Sequence, residues 1–497
     1  MRRGRLLQLL VDVAAAVVIA AALSMAVATV AGLTWPYDGD HFRDIAQAQA
    51  TLNGHPLSDP FYRGEWVWYN PLVPWLVALV SLATRATAPL VHVQGGPWLN
   101  LLGPIAFYLL CARVAGRPAA LLSLFLLVFV NCDTDPALTC ATYSPWLFVA
   151  TFSQGLFFLG VIALDAAAVA DTDTAAIGAG ALAGLTFLAH TAPAIVLGGI
   201  AVAMLQPRRL ALAGVAAALV ASPFLWSIVV HYHLHVVNAA PMAWTWAPTT
   251  RAGMPATFAA NGLVLAAAAA GIVITRRRVA YAWLATASVL TLYGLLREGT
   301  TLPAFVPTFH FWRYTLAACT LYAGAALAWV AERVARQWLA VLVPAIVLAL
   351  VAWRLPHYRN RFDFVYGRGI AAQRSADLNA TATFLRKSLP DDAVVLGSRG
   401  LTLEVIAPSG HRVVGVNPTW SNPYVPNEPR VAARDRMLAA IHDGHLDTFN
   451  ATADAYHVTH GVGLGADECA RMIAAGLLPL YQFGEACVVQ RRPSPMR

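Results

Sequence analysis

Long apolar runs separated by short basic loops fill the first 350 or so residues of the chain, and a polar, charge-bearing tail follows. Twelve apolar stretches stand out: 6–33, 71–86, 97–112, 118–131, 146–170, 175–189, 191–206, 209–230, 256–275, 279–297, 313–331 and 337–354. A helix needs about 20 apolar residues to cross roughly 30 Å of hydrocarbon, so most of these read as membrane spans. If all twelve cross, then Arg113, Arg117, Arg208, Arg209, Arg276, Arg277, Arg278, Arg333 and Arg336 face outward, against the positive-inside bias. Taking 71–86 out of the membrane turns every one of them inward. That stretch, PLVPWLVALVSLATRA, begins with Pro71 and Pro74 and is flanked by Trp66, Trp68, Tyr69 and Trp75. It reads as a helix lying in the outer interface. A rival layout keeps 71–86 as a span and fuses 175–206 into one helix. That helix would be about 45 Å long, with His190 and Thr191 in mid-membrane. The hairpin reading is preferred, with short arms of about 22 Å each and its tip at His190-Thr191-Ala192-Pro193.

The expectation is therefore a mainly α membrane protein of about eleven spans, with its N-terminus in the cytoplasm. The first apolar stretch exceeds the 7–15 residues of a signal core and reads as an uncleaved span. From His357 the pattern changes. AVVLG (393–397), RVVGV (412–416) and CVVQ (487–490) read as strands, and 376–388, 429–443 and 466–477 as helices. This predicts a soluble C-terminal α/β domain, 357–497, outside the cell membrane. Residues 1–356 form the transmembrane unit, including an external loop with juxtamembrane helices at 34–96. The segment NPTWSNPYVPNEP (417–429) reads as an ordered surface loop.

Composition agrees with this class. The chain has 497 residues, 58% hydrophobic and 12% charged, against about 25% charged in soluble proteins. Its net charge of +8 is spread over the loops and forms no patch, so nucleic acid is not an expected partner. Cys111 and Cys319 lie in spans as small apolar residues. Cys132 and Cys140 share one external loop, and Cys469 and Cys487 share the tail. An oxidising compartment permits a bridge in either pair, and spacing alone decides neither. No CxxC motif or histidine cluster points to zinc.

The richest segment is TWPYDGDHFRDIAQAQATLNGHPLSDPFYRGEWVWYNPL (34–72). Asp38 and Asp40 follow the first span directly. A helix over DHFRDIAQAQATL should end at Asn53-Gly54. The aspartates can be a solvated helix cap or a working carboxylate pair. Glu65 can pair with Arg63 or, with Tyr69, meet an acceptor. His231, His233 and His235 alternate, which suggests an extended stretch with the three on one face, either a metal-binding set or solvated interface residues.

An aspartate just after the first span, an aromatic four residues on, an Ile-Ala helix, Asn-Gly-His-Pro and an aromatic-Asn-Pro-Leu helix resemble the first periplasmic loop of GT-C glycosyltransferases. These are the polyprenyl- or dolichyl-phosphate-sugar-dependent enzymes, such as protein mannosyltransferases and lipid A aminoarabinose transferases. The eleven-span layout, short hairpin and external tail match more loosely. The resemblance puts the catalytic base at Asp38. Asp40 supplies a second carboxylate that acts directly or through a divalent metal. Phe42 stands where the family commonly has Tyr, and Gly39 where it often has an acid. Where the family often carries a further acid before the fourth span, this chain has Ser144 ahead of Pro145, with Asp133 and Asp135 nearby. The leaving phosphate calls for positive charge on the outer side. Arg313 in HFWRY, His310 one turn before it, and His190 at the hairpin tip are the candidates.

The function so implied is inverting transfer of a sugar from a polyprenyl-phosphate donor to an envelope glycan, lipid or protein at the periplasmic face of a bacterial inner membrane. Two alternatives belong to other classes. A transporter or flippase of lipid-linked sugars calls for ionisable groups in mid-span. A non-catalytic assembly subunit calls for a working external domain alone.

Overall fold

The computed structural model describes residues 2–131, 141–303, 306–335, 338–359 and 361–492. Asp133, Asp135 and the Cys132–Cys140 pair lie outside the described residues. The chain falls into two compact units that interleave along the sequence. One is 1–32, 94–222 and 242–368; the other is 33–93, 223–241 and 369–497.

Among the described residues, seven helices are long and apolar enough to cross a membrane: Gln8–Val30, Ala88–Ala115, Val149–Ala170, Pro207–His231, Arg278–Leu296, Thr308–Val334 and Val341–Arg359. Met254–Ala260 and Gly262–Ile274, bent by 76°, make an eighth if they form one span. Leu72–Thr84, Arg117–Phe129, Asp173–Ala189 and Thr191–Met204 are apolar but shorter.

The first unit is a helical bundle, and six of its arginines gather at one end. Arg117 reaches Asp12 at 3.0 Å and Gln8 at 2.7 Å, and Arg113 pairs with Asp165 at 2.6 Å. Arg208 and Arg209 pair with Asp173 and Asp171. Arg277 and Arg278 donate to the carbonyls of Arg113 and Ala203. Each arginine thus finds a carboxylate, an amide or an open carbonyl at a helix end, the favourable partners for a cation there. At the opposite end of the first helix, Arg368 donates to the carbonyls of Ala28, Thr29 and Ala31. Those are the acceptors a helix C-terminus leaves open.

The predicted hairpin is present. Helices Asp173–Ala189 and Thr191–Met204 have 17 and 14 residues, about 26 and 21 Å. His190 breaks them with extended backbone at φ −162° and ψ 138°. Its Nδ1 accepts the Ala192 N–H at 3.2 Å, so the histidine caps the second arm.

The second unit is built on a five-stranded sheet ordered β2-β1-β3-β5-β4, where β1 is Val394–Leu396, β2 Arg412–Val413, β3 Val458–Leu464, β4 Leu478–Phe483 and β5 Ala486–Gln490. β1 runs parallel to β2 and β3, and β5 runs antiparallel to β3 and β4. Three of these strands are legible in the sequence. β3 (VTHGVGL) and β4 (LPLYQF) are not, because glycine, histidine and proline dilute their pattern.

Alternation decides what covers each face of the sheet. Val394, Leu396, Val414, Val458 and Val489 turn to Met437, Ile441, Phe449 and Met472 of the domain's helices. Val395, Val413, Val462 and Val488 turn to a core that also holds Trp35, Phe42, Ala46, Phe61, Tyr62 and Trp68. The first external segment therefore covers one face of the sheet. It packs with the tail, in the same compact unit. Cys469 and Cys487 are disulfide-bonded, tying helix Ala466–Ala474 to β5. The 231–235 stretch differs from the extended strand expected of it. His231 ends a wide helical turn, and His233 and Leu234 have positive φ, so the chain turns and the three histidines do not share one face.

Candidate functional site

The carboxylates sit in the second unit, at the start of helix Gly39–Leu52. Asp38 is the cap: its Oδ1 accepts the Asp40 N–H at 2.9 Å. The helix stops at Asn53, followed by Gly54 at φ +87°. Asp40 is 43% exposed at its side chain, and its Oδ1 takes two donors. Arg43 Nη1, three residues on and hence on the same helix face, lies at 2.8 Å. Trp420 Nε1 donates at 3.2 Å.

Arg43 is buried and divides its guanidinium between two carboxylates. Its Nε and Nη2 reach Asp44 Oδ1 at 3.1 and 3.0 Å, and its plane lies 3.4 Å from the Tyr69 ring centroid. Burial raises the Asp44 carboxyl above the usual carboxylate range, and Arg43 offsets this only in part. Burial raises Tyr69 in the same way. His41 is buried beside His92, with ring centroids 5.1 Å apart. Burial first, then His92 and Arg43, hold His41 well below the usual imidazole range, so it is neutral. The cluster is a fixed, mostly desolvated charge array with one partly open carboxylate edge at Asp38 and Asp40.

Behind it runs a second polar network. Asp59 accepts from Phe61 N at 2.6 Å, Tyr62 N at 3.1 Å and Asn422 Nδ2 at 2.7 Å. Burial nevertheless pushes it up to about 6. Asn422 also donates to the Tyr232 hydroxyl at 3.0 Å, which lies 3.2 Å from Glu65 Oε2. Glu65 thus meets Tyr232, while Arg63 faces Asp392 at 3.7 Å. Ser421 and Asn427 both meet the Tyr62 hydroxyl, at 2.8 and 2.9 Å.

The other candidates lie in the first unit. His190 and His310 meet with ring centroids 4.4 Å apart. Arg313 lies one turn beyond His310 on helix Thr308–Ala335 and is fully buried. The hairpin tip and this helix therefore come together, as two elements distant in sequence. Ser144 is buried; its Oγ accepts the Trp146 N–H and its carbonyl accepts from Asn100.

Among the described residues, no three His, Cys, Asp or Glu side chains group as metal ligands. Asp40 Oδ1 already holds a guanidinium and an indole N–H. The set as it stands does not fit a divalent metal bridged between Asp38 and Asp40, and no step is routed through one.

Sequence reasoning found Asp38, Asp40, His190, His310 and Arg313. It passed over Arg43, Asp59, Tyr232, Trp420 and Asn422. Arg43 was discoverable from its three-residue spacing to Asp40. Tyr232, Trp420 and Asn422, and the bond from Asn422 to Asp59, depend on contacts across more than 160 residues, for which one sequence carries no signal.

No family model and no curated protein sequence matches the chain. Solved structures do. ArnT from Cupriavidus metallidurans is similar in its apo state, with TM-score 0.58, 13% identity and coverage of 96% of this chain and 97% of that one. Its undecaprenyl phosphate-bound form gives TM-score 0.59 at the same identity and coverage. Arabinofuranosyltransferase AftD from Mycobacteria gives TM-score 0.55 at 14% identity, over 97% of this chain and 39% of the larger protein. At such identities the likeness speaks for the fold. The chain shares its fold with ArnT and with the matching part of AftD.

Proposed function

We propose that this protein is an inverting glycosyltransferase that moves a sugar from a polyprenyl-phosphate donor to an acceptor hydroxyl at the periplasmic face. The observation that carries the reading is the Asp38-capped helix with its held carboxylate pair, present on a GT-C fold that matches over 96% of the chain. Asp38 takes the proton of the acceptor hydroxyl as its oxygen attacks the anomeric carbon. The bond from that carbon to the phosphate oxygen breaks on the opposite side, and polyprenyl phosphate leaves. Arg313, with His190 and His310, stabilises the leaving anion; a guanidinium suits phosphate through its planar donor fork. The bound undecaprenyl phosphate in ArnT supports this class of donor.

Topology follows the same reading. Seven long spans, the bent pair Met254–Ala260 and Gly262–Ile274 taken as one, and the three shorter helices Arg117–Phe129, Asp173–Ala189 and Thr191–Met204 make eleven, with Leu72–Thr84 in the interface. The gathered arginines then mark the cytoplasmic end. The Cys469–Cys487 bridge supports an oxidising surrounding for the tail.

The test is transfer by the purified chain in lipid nanodiscs. It is supplied with polyprenyl-phosphate sugars of several sugar types and cell-envelope extract as acceptor. Released polyprenyl phosphate together with a product of inverted anomeric configuration is expected. Retained configuration would refute single displacement. Donor movement across the bilayer without any new glycosidic bond would favour a transporter.

A further inference from the structure

Gly39 separates the two aspartates, and its missing side chain has a specific use. A Cβ built there would lie 2.5 Å from Cζ2 and 2.9 Å from Nε1 of Trp420, closer than carbon tolerates. The indole occupies the space over the helix start that any other residue would fill. From there its Nε1–H donates to Asp40 Oδ1.

Trp420 is itself firmly held. It ends the short Pro418–Trp420 turn, whose cap Asn417 accepts the Thr419 N–H on its side chain and the Trp420 N–H on its carbonyl. The residues that follow are tied to the first external segment by Ser421 to Tyr62, Asn422 to Asp59 and Asn427 to Tyr62. Asn238 donates to the Pro418 carbonyl, and the Val237 and Asn238 N–H groups to that of Pro423. The loop at 417–427 is thus anchored on both sides of the indole.

We propose that Trp420 is a positioning residue for the carboxylate pair. Its N–H and the Arg43 guanidinium fix Asp40 from two directions, while Tyr69 backs Arg43. Asp40 in turn gives its backbone N–H to Asp38 Oδ1, so a fixed Asp40 orients Asp38. The line runs Trp420, Asp40, Asp38. It makes the loop of the tail part of the machinery that sets the base, and it rests on the proposed transferase reading. A 1 Å misplacement of a reacting group costs up to about 100-fold in rate, so an indirect contact of this kind has measurable weight.

Two readouts on the full chain in nanodiscs test it. The first needs no substrate: with ¹⁵N-tryptophan labelling, the resonance lost in W420F identifies the Trp420 indole. That N–H is expected to be protected from solvent exchange and shifted downfield in the wild type, and to lose both features in D40A, which removes the acceptor. An unprotected, unshifted N–H overturns the proposal whether or not the protein transfers sugar. The second is turnover. W420F, which keeps an aromatic ring but removes the N–H, and G39A, which keeps the N–H and displaces the indole, should each lower kcat about 10-fold with donor KM unchanged. W420F in a D40N background should add little to D40N alone, the non-additivity of a shared path. Wild-type turnover in W420F, or full additivity with D40N, overturns the proposal. A wild type that transfers no sugar while the indole N–H stays protected counts against the transferase reading, not against the contact.

Discussion

Asp59 accepts three hydrogen bonds yet sits where water does not reach, and burial wins: its carboxyl rises to about 6. A raised folded-state value means that the folded form holds the proton more tightly than the unfolded chain. Its contribution to stability is therefore full below about pH 4 and lost as pH rises through about 6, a difference of roughly 3 kcal/mol. Thermal unfolding in nanodiscs should show a decline across this window that D59N flattens. Some slope should remain from Asp44, which burial raises in the same direction. An unchanged slope in D59N would remove Asp59 from the account. Arg43 gives a second test at this scale. It is the buried partner of both Asp40 and Asp44. R43A should cost about 3–5 kcal/mol, because it leaves Asp44 buried without its counter-charge. R43M combined with D44N should recover most of that loss.

Among the elements, the hairpin and the sheet make different demands. His190 caps helix Thr191–Met204 and touches His310. H190A should lower stability by about 1 kcal/mol, whereas H190N should keep the cap and lose only the ring contact. Melting temperatures of the two variants separate these roles. The Cys469–Cys487 bridge closes a separation of 18 residues. Its removal in C469S should cost about 3 kcal/mol on a loop-entropy argument, read as a lower melting temperature under non-reducing conditions. Elements with a strong local signal were legible in the sequence: the apolar helices, the Gly39–Leu52 helix with its Asn-Gly stop, the His190 break and strands β1, β2 and β5. The longer β3 and β4 were not, since glycine, histidine and proline dilute their pattern and their pairing supplies what their own residues lack. The histidines at 231–235 misled, because alternation is a strand signature only where the backbone stays extended. At His233 and Leu234 it does not.

At the scale of the whole molecule, six of the arginines that chose among topologies, Arg113, Arg117, Arg208, Arg209, Arg277 and Arg278, gather at one end of the helical unit. Part of the set of candidate residues was legible. Asp38 and Asp40 were visible from their place after the first span, and Arg313 from its charge ahead of an apolar run. The sheet face that supports the aspartates, and the 417–427 loop that reaches them, arise from packing between segments some 350 residues apart. If the gathered arginines are cytoplasmic, a phosphatase fused after Arg497 should be active and a fluorescent protein there dark. The reverse pattern would place Asp38 on the wrong side for a periplasmic reaction.

The central claim is that Asp38 is the base of a sugar transfer, and one comparison tests it most directly. Wild type and D38N, each shown to be folded and to bind polyprenyl phosphate alike, are given the same donor and acceptor under single-turnover conditions. A loss of about 10²–10⁴-fold in the transfer rate of D38N is expected, with donor binding unchanged. Transfer by D38N at the wild-type rate would contradict it.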